Sequence, residues 1–122
     1  MIEVRREDFC VDEIIKRMKA PGIGALSIYV GTVREFPEGV GLDFADNDQA
    51  AQQLREMRER AINGFDVEDV AIMHRVGLLG VSENIVLVAV SAPHREAAFV
   101  ACRSIIDDIK DVHKSWVKVV SK

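Results

Sequence analysis

Apolar and polar positions follow two different periods along the 122 residues. Ile2 and Val4 alternate with polar neighbours, which predicts a short strand. Val11, Ile14, Ile15 and Met18 fall at helical spacing, with Asp8 nearby as a cap, and Pro21-Gly22 ends that helix. Ala25 to Val33 is rich in β-formers and reads as a strand buried on both faces. Phe36-Pro37-Glu38-Gly39 is a turn, after which Val40, Leu42 and Phe44 alternate as a half-buried strand does. Asp46-Asn47-Asp48 offers a helix cap, and Ala50, Leu54, Met57 and Ala61 form one apolar stripe. Gly64 suits the position just past that helix. Val70 to Arg75 and Asn84 to Ala92 are further strands. Pro93 separates the second of them from a third helix, where Ala98, Cys102, Ile105 and Ile109 share a face. Trp116 to Val120 closes the chain as a short strand.

The order β-α-β-β-α-β-β-α-β predicts one α+β domain over 1–122 with a largely antiparallel sheet and three helices. Hairpin-like pairs at 25–44 and 70–92 favour this over a doubly wound sheet. Hydrophobic residues at 48% and charged residues at 30% fit a folded chain of a size that buries a core without staples. No apolar run approaches the ~18 residues of a membrane span. Met1 to Asp8 lacks the apolar core of a secretory signal.

Charge narrows the chemistry. Sixteen basic and twenty acidic residues give a net charge of −4, the reverse of a general nucleic-acid binder. Any anion site is therefore a local basic cluster. Cys10 and Cys102 fit no C-x-x-C pattern and suit a reducing cytoplasm. His74, His94 and His113 lack zinc spacing, so neither a metal nor a cofactor is expected. Gly22-Ile23-Gly24 precedes a strand and lacks a third glycine, which excludes a dinucleotide fingerprint.

Three clusters remain: Gly31-Thr32-Val33-Arg34, His74-Arg75-Val76-Gly77 and Ala92-Pro93-His94-Arg95. The third sets an imidazole and a guanidinium where a strand meets a helix N-terminus, whose free N–H groups attract phosphate or carboxylate. The alternative is that Arg34, His74 and Arg95 only pair with some of the acidic residues. Lys110, near the end of the third helix, has an equally plain reading as a solvated cation that favours the helix dipole.

Taken together these clusters resemble the large, catalytic subunit of molybdopterin synthase, the MoaE-like family. The matching text is Gly24-Ala25 leading into Tyr29-Val30-Gly31-Thr32-Val33-Arg34, then Met73-His74-Arg75-Val76-Gly77, then Val88 to Phe99 around Pro93-His94-Arg95, then Ile106 to Lys110 and Trp116. The resemblance implies an α/β-hammerhead-like fold. It implies a cytoplasmic sulfurtransferase of molybdenum cofactor biosynthesis that converts cyclic pyranopterin monophosphate into molybdopterin. Sulfur would come from the thiocarboxylated C-terminus of a small ubiquitin-like, MoaD-like partner. The assembly would be a homodimer carrying one partner at each end, a heterotetramer whose site draws on both protomers.

By the same resemblance, Arg34, His94 and Arg95 hold the anionic substrate and Lys110 is catalytic. The family usually reads Pro-aliphatic-Trp-Lys-Lys-Glu where this chain reads Lys114-Ser115-Trp116-Val117-Lys118-Val119. Val117 thus stands in place of a family lysine, and either Lys114 or Lys118 is its candidate substitute, Lys118 if the strand bulges after Trp116. Two other readings stay open: a non-catalytic relative serving as a dimeric scaffold or regulator for the ubiquitin-like subunit, and an unrelated phosphate-ligand binder.

Overall fold

The computed structural model describes residues 1–122. In chain order it contains β1 (Ile2–Arg5), α1 (Val11–Met18), β2 (Ala25–Thr32), β3 (Gly39–Phe44), α2 (Asp48–Gly64) and β4 (Asp69–Arg75). There follow β5 (Gly77–Gly80), β6 (Asn84–Ala92), α3 (Arg95–Trp116) and β7 (Val117–Ser121). The architecture is α+β, with three helices and two sheets. One sheet has the order β1-β4-β6-β2 and the other β5-β3-β7. Only the β1–β4 pair is parallel.

Period-2 alternation divides the four-stranded sheet between two cores. Val70 and Ile72 of β4, with Val86, Val88 and Val90 of β6, face Leu54 and Met57 of α2 and Ala98, Ile105 and Ile109 of α3. Their neighbours Ala71, Met73, Leu87 and Ala89 face the other way, onto Phe9, Ile14 and Met18 around α1. Helices on both faces explain why β4 and β6 are apolar at nearly every position.

Three expectations about the strands change. The 25–44 segment is not a hairpin, because β2 pairs with β6 while β3 joins the second sheet. Val33 diverts the chain: its N–H donates to the Glu83 carbonyl at 2.9 Å and its carbonyl accepts from Ser82 at 2.7 Å. As an edge strand, β2 is half-buried instead of enclosed. β5 is an added strand, between β4 and β6, too short and glycine-flanked to show a period. Gly77, at φ +92°, makes the corner into it, a conformation that favours glycine.

The helix ends also shift. Asp8 does not cap α1; its carboxylate accepts from Phe9 N–H at 2.8 Å and Asn84 Nδ2 at 3.0 Å. Cys10 takes the cap position without a side-chain bond. Asn47 does cap α2, accepting from Ala50 N–H at 2.8 Å. Gly64 is the last helical residue of α2, not the one past it. Trp116 ends α3 and its indole N–H donates to Gln53 Oε1 at 3.0 Å, tying α3 to α2. No helix is long and apolar enough to cross a membrane.

Candidate functional site

Arg34 leaves β2 just past a register shift between Gly31 and Thr32, on backbone held by the Val33 clamp. It lines a cavity of about 760 Å³ together with Tyr29, Thr32, Phe36, Leu42 and Lys110. Glu38 and Val119 complete the wall. Lys110 lies in the C-terminal half of α3, one residue past the buried Ile109. Packing of Ile105 and Ile109 onto the sheet therefore aims it at the end of β2.

His94 and Arg95 lie at the other end of α3. With Gly24, Pro93, Glu96 and Phe99 they line a second cavity, of about 540 Å³. His94 is the N-cap residue but makes no side-chain cap bond, so the first-turn N–H groups remain available to an anion. A Cβ at Gly24 would strike the Pro93 carbonyl oxygen, so this close approach of two backbones requires glycine. At about 1.5 Å per residue, Arg95 and Lys110 stand some 22 Å apart along the helix. Within one chain, then, the structure brings Arg34 to Lys110 and His94 to Arg95, and it does not bring the two pairs together.

No carboxylate lies within ion-pairing distance of Arg34, His94, Arg95 or Lys110. The plain alternative, that these cations only neutralise surface acids, does not describe them. It does describe Arg75. That guanidinium donates to the Arg6 carbonyl at 2.9 and 3.0 Å and to the Asn84 carbonyl at 3.2 Å, and pairs with Glu83 at 3.4 Å. The His74-Arg75 cluster is thus internal scaffolding and not an anion site.

Lys118 pairs with Asp43 across the β3–β7 ladder, between the pairs Val117–Phe44 and Val119–Leu42. The ladder's one irregularity lies between Gly39 and Gly41, so no bulge follows Trp116. Val119 and Leu42 line the Arg34–Lys110 cavity, so strand alternation turns Lys118 to the opposite face. Lys114 is an exposed residue of the last turn of α3 and lines neither cavity.

His113, to which neither motif nor resemblance assigns a role, also borders this region. It lines a smaller cavity, of about 170 Å³, which shares Tyr29, Thr32 and Lys110 with the larger one. His113 Nε2 lies 2.8 Å from Nε2 of His74, which is 1% exposed. Phe44 and Trp116 pack against the pair, their ring centroids 5.0 and 5.3 Å from that of His74. Burial pushes His74 down to about 4, reinforced by His113 and partly opposed by its bond to the Arg75 carbonyl. Burial likewise pushes His113 down to about 4, reinforced by the Lys110 ammonium. The spacing of His113 three residues after Lys110 was the available signal. No group of three or more His, Cys, Asp or Glu side chains is arranged to hold a metal.

Two sheets, and one long helix with cations that no carboxylate pairs lining a cavity toward each of its ends, define a small α+β protein with two candidate anion sites. The family model described as MoaE protein matches residues 4–112. The molybdopterin synthase catalytic subunit of Thermoplasma volcanium is 34% identical over 119 residues, covering 94% of this chain and 87% of its own. Among solved structures, molybdopterin synthase from Staphylococcus aureus superposes with a TM-score of 0.87 at 26% identity, over 98% of this chain and 90% of that one. Molybdopterin cofactor biosynthesis protein E from Burkholderia multivorans gives 0.82 at 32% identity, over 89% and 75%. The chain belongs to the MoaE family, the catalytic subunits of molybdopterin synthase.

Proposed function

We propose that this chain is the sulfur-transferring subunit of a molybdopterin synthase, acting on cyclic pyranopterin monophosphate in the cytoplasm. The donor is the thiocarboxylated C-terminus of a small ubiquitin-like partner. The observation that carries this reading is the cavity shared by Arg34 and Lys110, two cations without counter-ions. Both reactants are anions, a phosphate on the precursor and a thiocarboxylate on the donor. A pocket that holds them needs unpaired positive charge and donor groups.

The chemistry asks little else of the protein. The thiocarboxylate sulfur is itself the nucleophile: it bonds to a precursor carbon as an oxygen departs, and water then cleaves the acyl–sulfur bond and releases the partner as a carboxylate, so no activated serine or cysteine is required. Lys110 stabilises the oxyanion of the tetrahedral intermediate and gives a proton to the departing oxygen. Arg34 holds negative charge beside it. His94 and Arg95 bind an anion at the N-terminus of α3, where the dipole and free N–H groups add to their charge.

Because the pairs lie at opposite ends of α3, one complete site needs two chains. We therefore assign Arg34 and Lys110 to one protomer and His94 and Arg95 to its neighbour in a homodimer. The deciding experiment supplies the precursor and thiocarboxylated partner to the purified chain and follows dithiolene formation. Turnover supports the assignment. Binding of the partner without turnover would make the chain a non-catalytic scaffold.

A further inference from the structure

The paired imidazoles of buried His74 and half-buried His113 take no part in the chemistry above, yet His113 borders the Lys110 cavity. His74 Nδ1 lies 2.7 Å from the Arg75 carbonyl oxygen. A carbonyl only accepts, so His74 Nδ1 carries the hydrogen. The neutral ring then has its lone pair on Nε2, which faces His113 Nε2 at 2.8 Å. The hydrogen between the rings therefore belongs to His113, and neutral His113 keeps its lone pair on Nδ1. The structure shows no bond to that nitrogen from within the protein.

We infer that His113 is a positioning residue for Lys110: its tautomer, fixed by His74, leaves Nδ1 an open acceptor on the shared cavity, which takes the Lys110 ammonium when that side chain turns inward and orients it toward the reacting centre. The inference rests on the reading of Lys110 as the catalytic cation. Lys110 and His113 are three residues apart on α3, share one face and line one cavity. The charge of the Lys110 ammonium also lowers the proton affinity of His113, which fits their proximity.

A neutral acceptor suits the task. It aims an ammonium without cancelling its charge, whereas a carboxylate would hold it as an ion pair. The titratable groups around His113 are Lys110 on its own helix, His74 on β4 and the Tyr29 phenol on β2. Phe44 and Trp116, also packed on the ring, carry no charge. Protonation of His113 at Nδ1 would turn the acceptor into a donor and set a second positive charge beside Lys110.

The test combines spectroscopy on the native chain with variants assayed in the presence of the sulfur-carrier partner. Long-range ¹H–¹⁵N correlation of the imidazoles should show His74 protonated at Nδ1 and His113 at Nε2, and Lys110→Ala should shift the His113 Nδ1 resonance. The opposite tautomers, or an unmoved resonance, overturn the inference without any variant of His113 having to fold. At saturating precursor, His113→Leu should lower kcat about ten- to a hundred-fold with KM little changed. His113→Asn, whose amide oxygen can occupy the Nδ1 position, should recover most of that loss. A leucine variant as fast as the parent, beside a slow Lys110→Ala, refutes the positioning role and leaves the proposed site intact. A Lys110→Ala variant with parental turnover refutes the site itself.

Discussion

His74 and His113 face each other nitrogen to nitrogen at 2.8 Å, 39 residues apart in sequence, inside a box closed by Phe44 and Trp116. Both rings are held neutral down to about pH 4, while in the unfolded chain they protonate near the ordinary value of 6.5. Between those values the unfolded state binds more protons than the native one, so stability rises with pH and is lost as pH falls from about 6.5 toward 4. The slope is at most about 1.4 kcal/mol per pH unit for each ring. Urea midpoints should therefore drop clearly between pH 7 and pH 5, a window above the range where Asp8 and Asp69 titrate. A flat profile across that window would show that the rings charge freely in the fold.

Lys110 is exposed, and its substitution removes no core contact. Lys110→Ala should lower sulfur transfer by about 10²–10⁴, the usual span for loss of an acid-base or oxyanion-stabilising group. Its unfolding midpoint should match the parent. Parental turnover would return Lys110 to the role of a solvated helix cation.

Arg95→Ala should weaken precursor binding roughly ten- to a hundred-fold, the effect expected of one charge-assisted hydrogen bond. The separation of Arg95 from Lys110 along α3 makes a sharper test possible. If the site is shared between protomers, Arg95→Ala and Lys110→Ala chains, each nearly inactive alone at precursor concentrations well below the Arg95→Ala KM but saturating for the parent, should complement when mixed. Random reassortment gives mixed dimers in which one of two sites is intact, so about a quarter of the parental activity should return. Mixtures as inactive as their components would place the whole site within one chain.

Much of this arrangement was legible from local pattern. Apolar period and turn chemistry located β1, both long helices and β6, because each buries a face that the sequence marks residue by residue. What local pattern could not supply was pairing. β2 and β3 are neighbours in sequence and belong to different sheets, a choice made by the Val33 backbone bonds to Ser82 and Glu83, far along the chain. The same limit applies at the site. Arg34, His94, Arg95 and Lys110 stood out by motif, but which of them share a cavity depends on helix length and strand exit. His113 was visible only as a histidine until the fold set it against His74.

The last expectation concerns β7, where the resemblance calls for a lysine at the position of Val117. Val117 is half-buried, packs against the main core and pairs with Phe44. It shares its strand face with Val119, which lines the Arg34–Lys110 cavity. A lysine introduced at 117 would start on that face, and its four-carbon stem can carry the ammonium past the core edge into the cavity. Val117→Lys should therefore raise turnover, toward the 10²–10³ that one oxyanion donor typically contributes, at some cost in stability from the lost apolar packing. Lys118 offers no such contribution, because the unbroken ladder from Val117 to Val120 turns it away from the cavity and opposite Asp43. Lys118→Ala should leave turnover at the parental level. An inactive Lys118→Ala chain would mean that β7 shifts its register by one residue in the assembled enzyme, since only such a shift moves Lys118 onto the cavity's face.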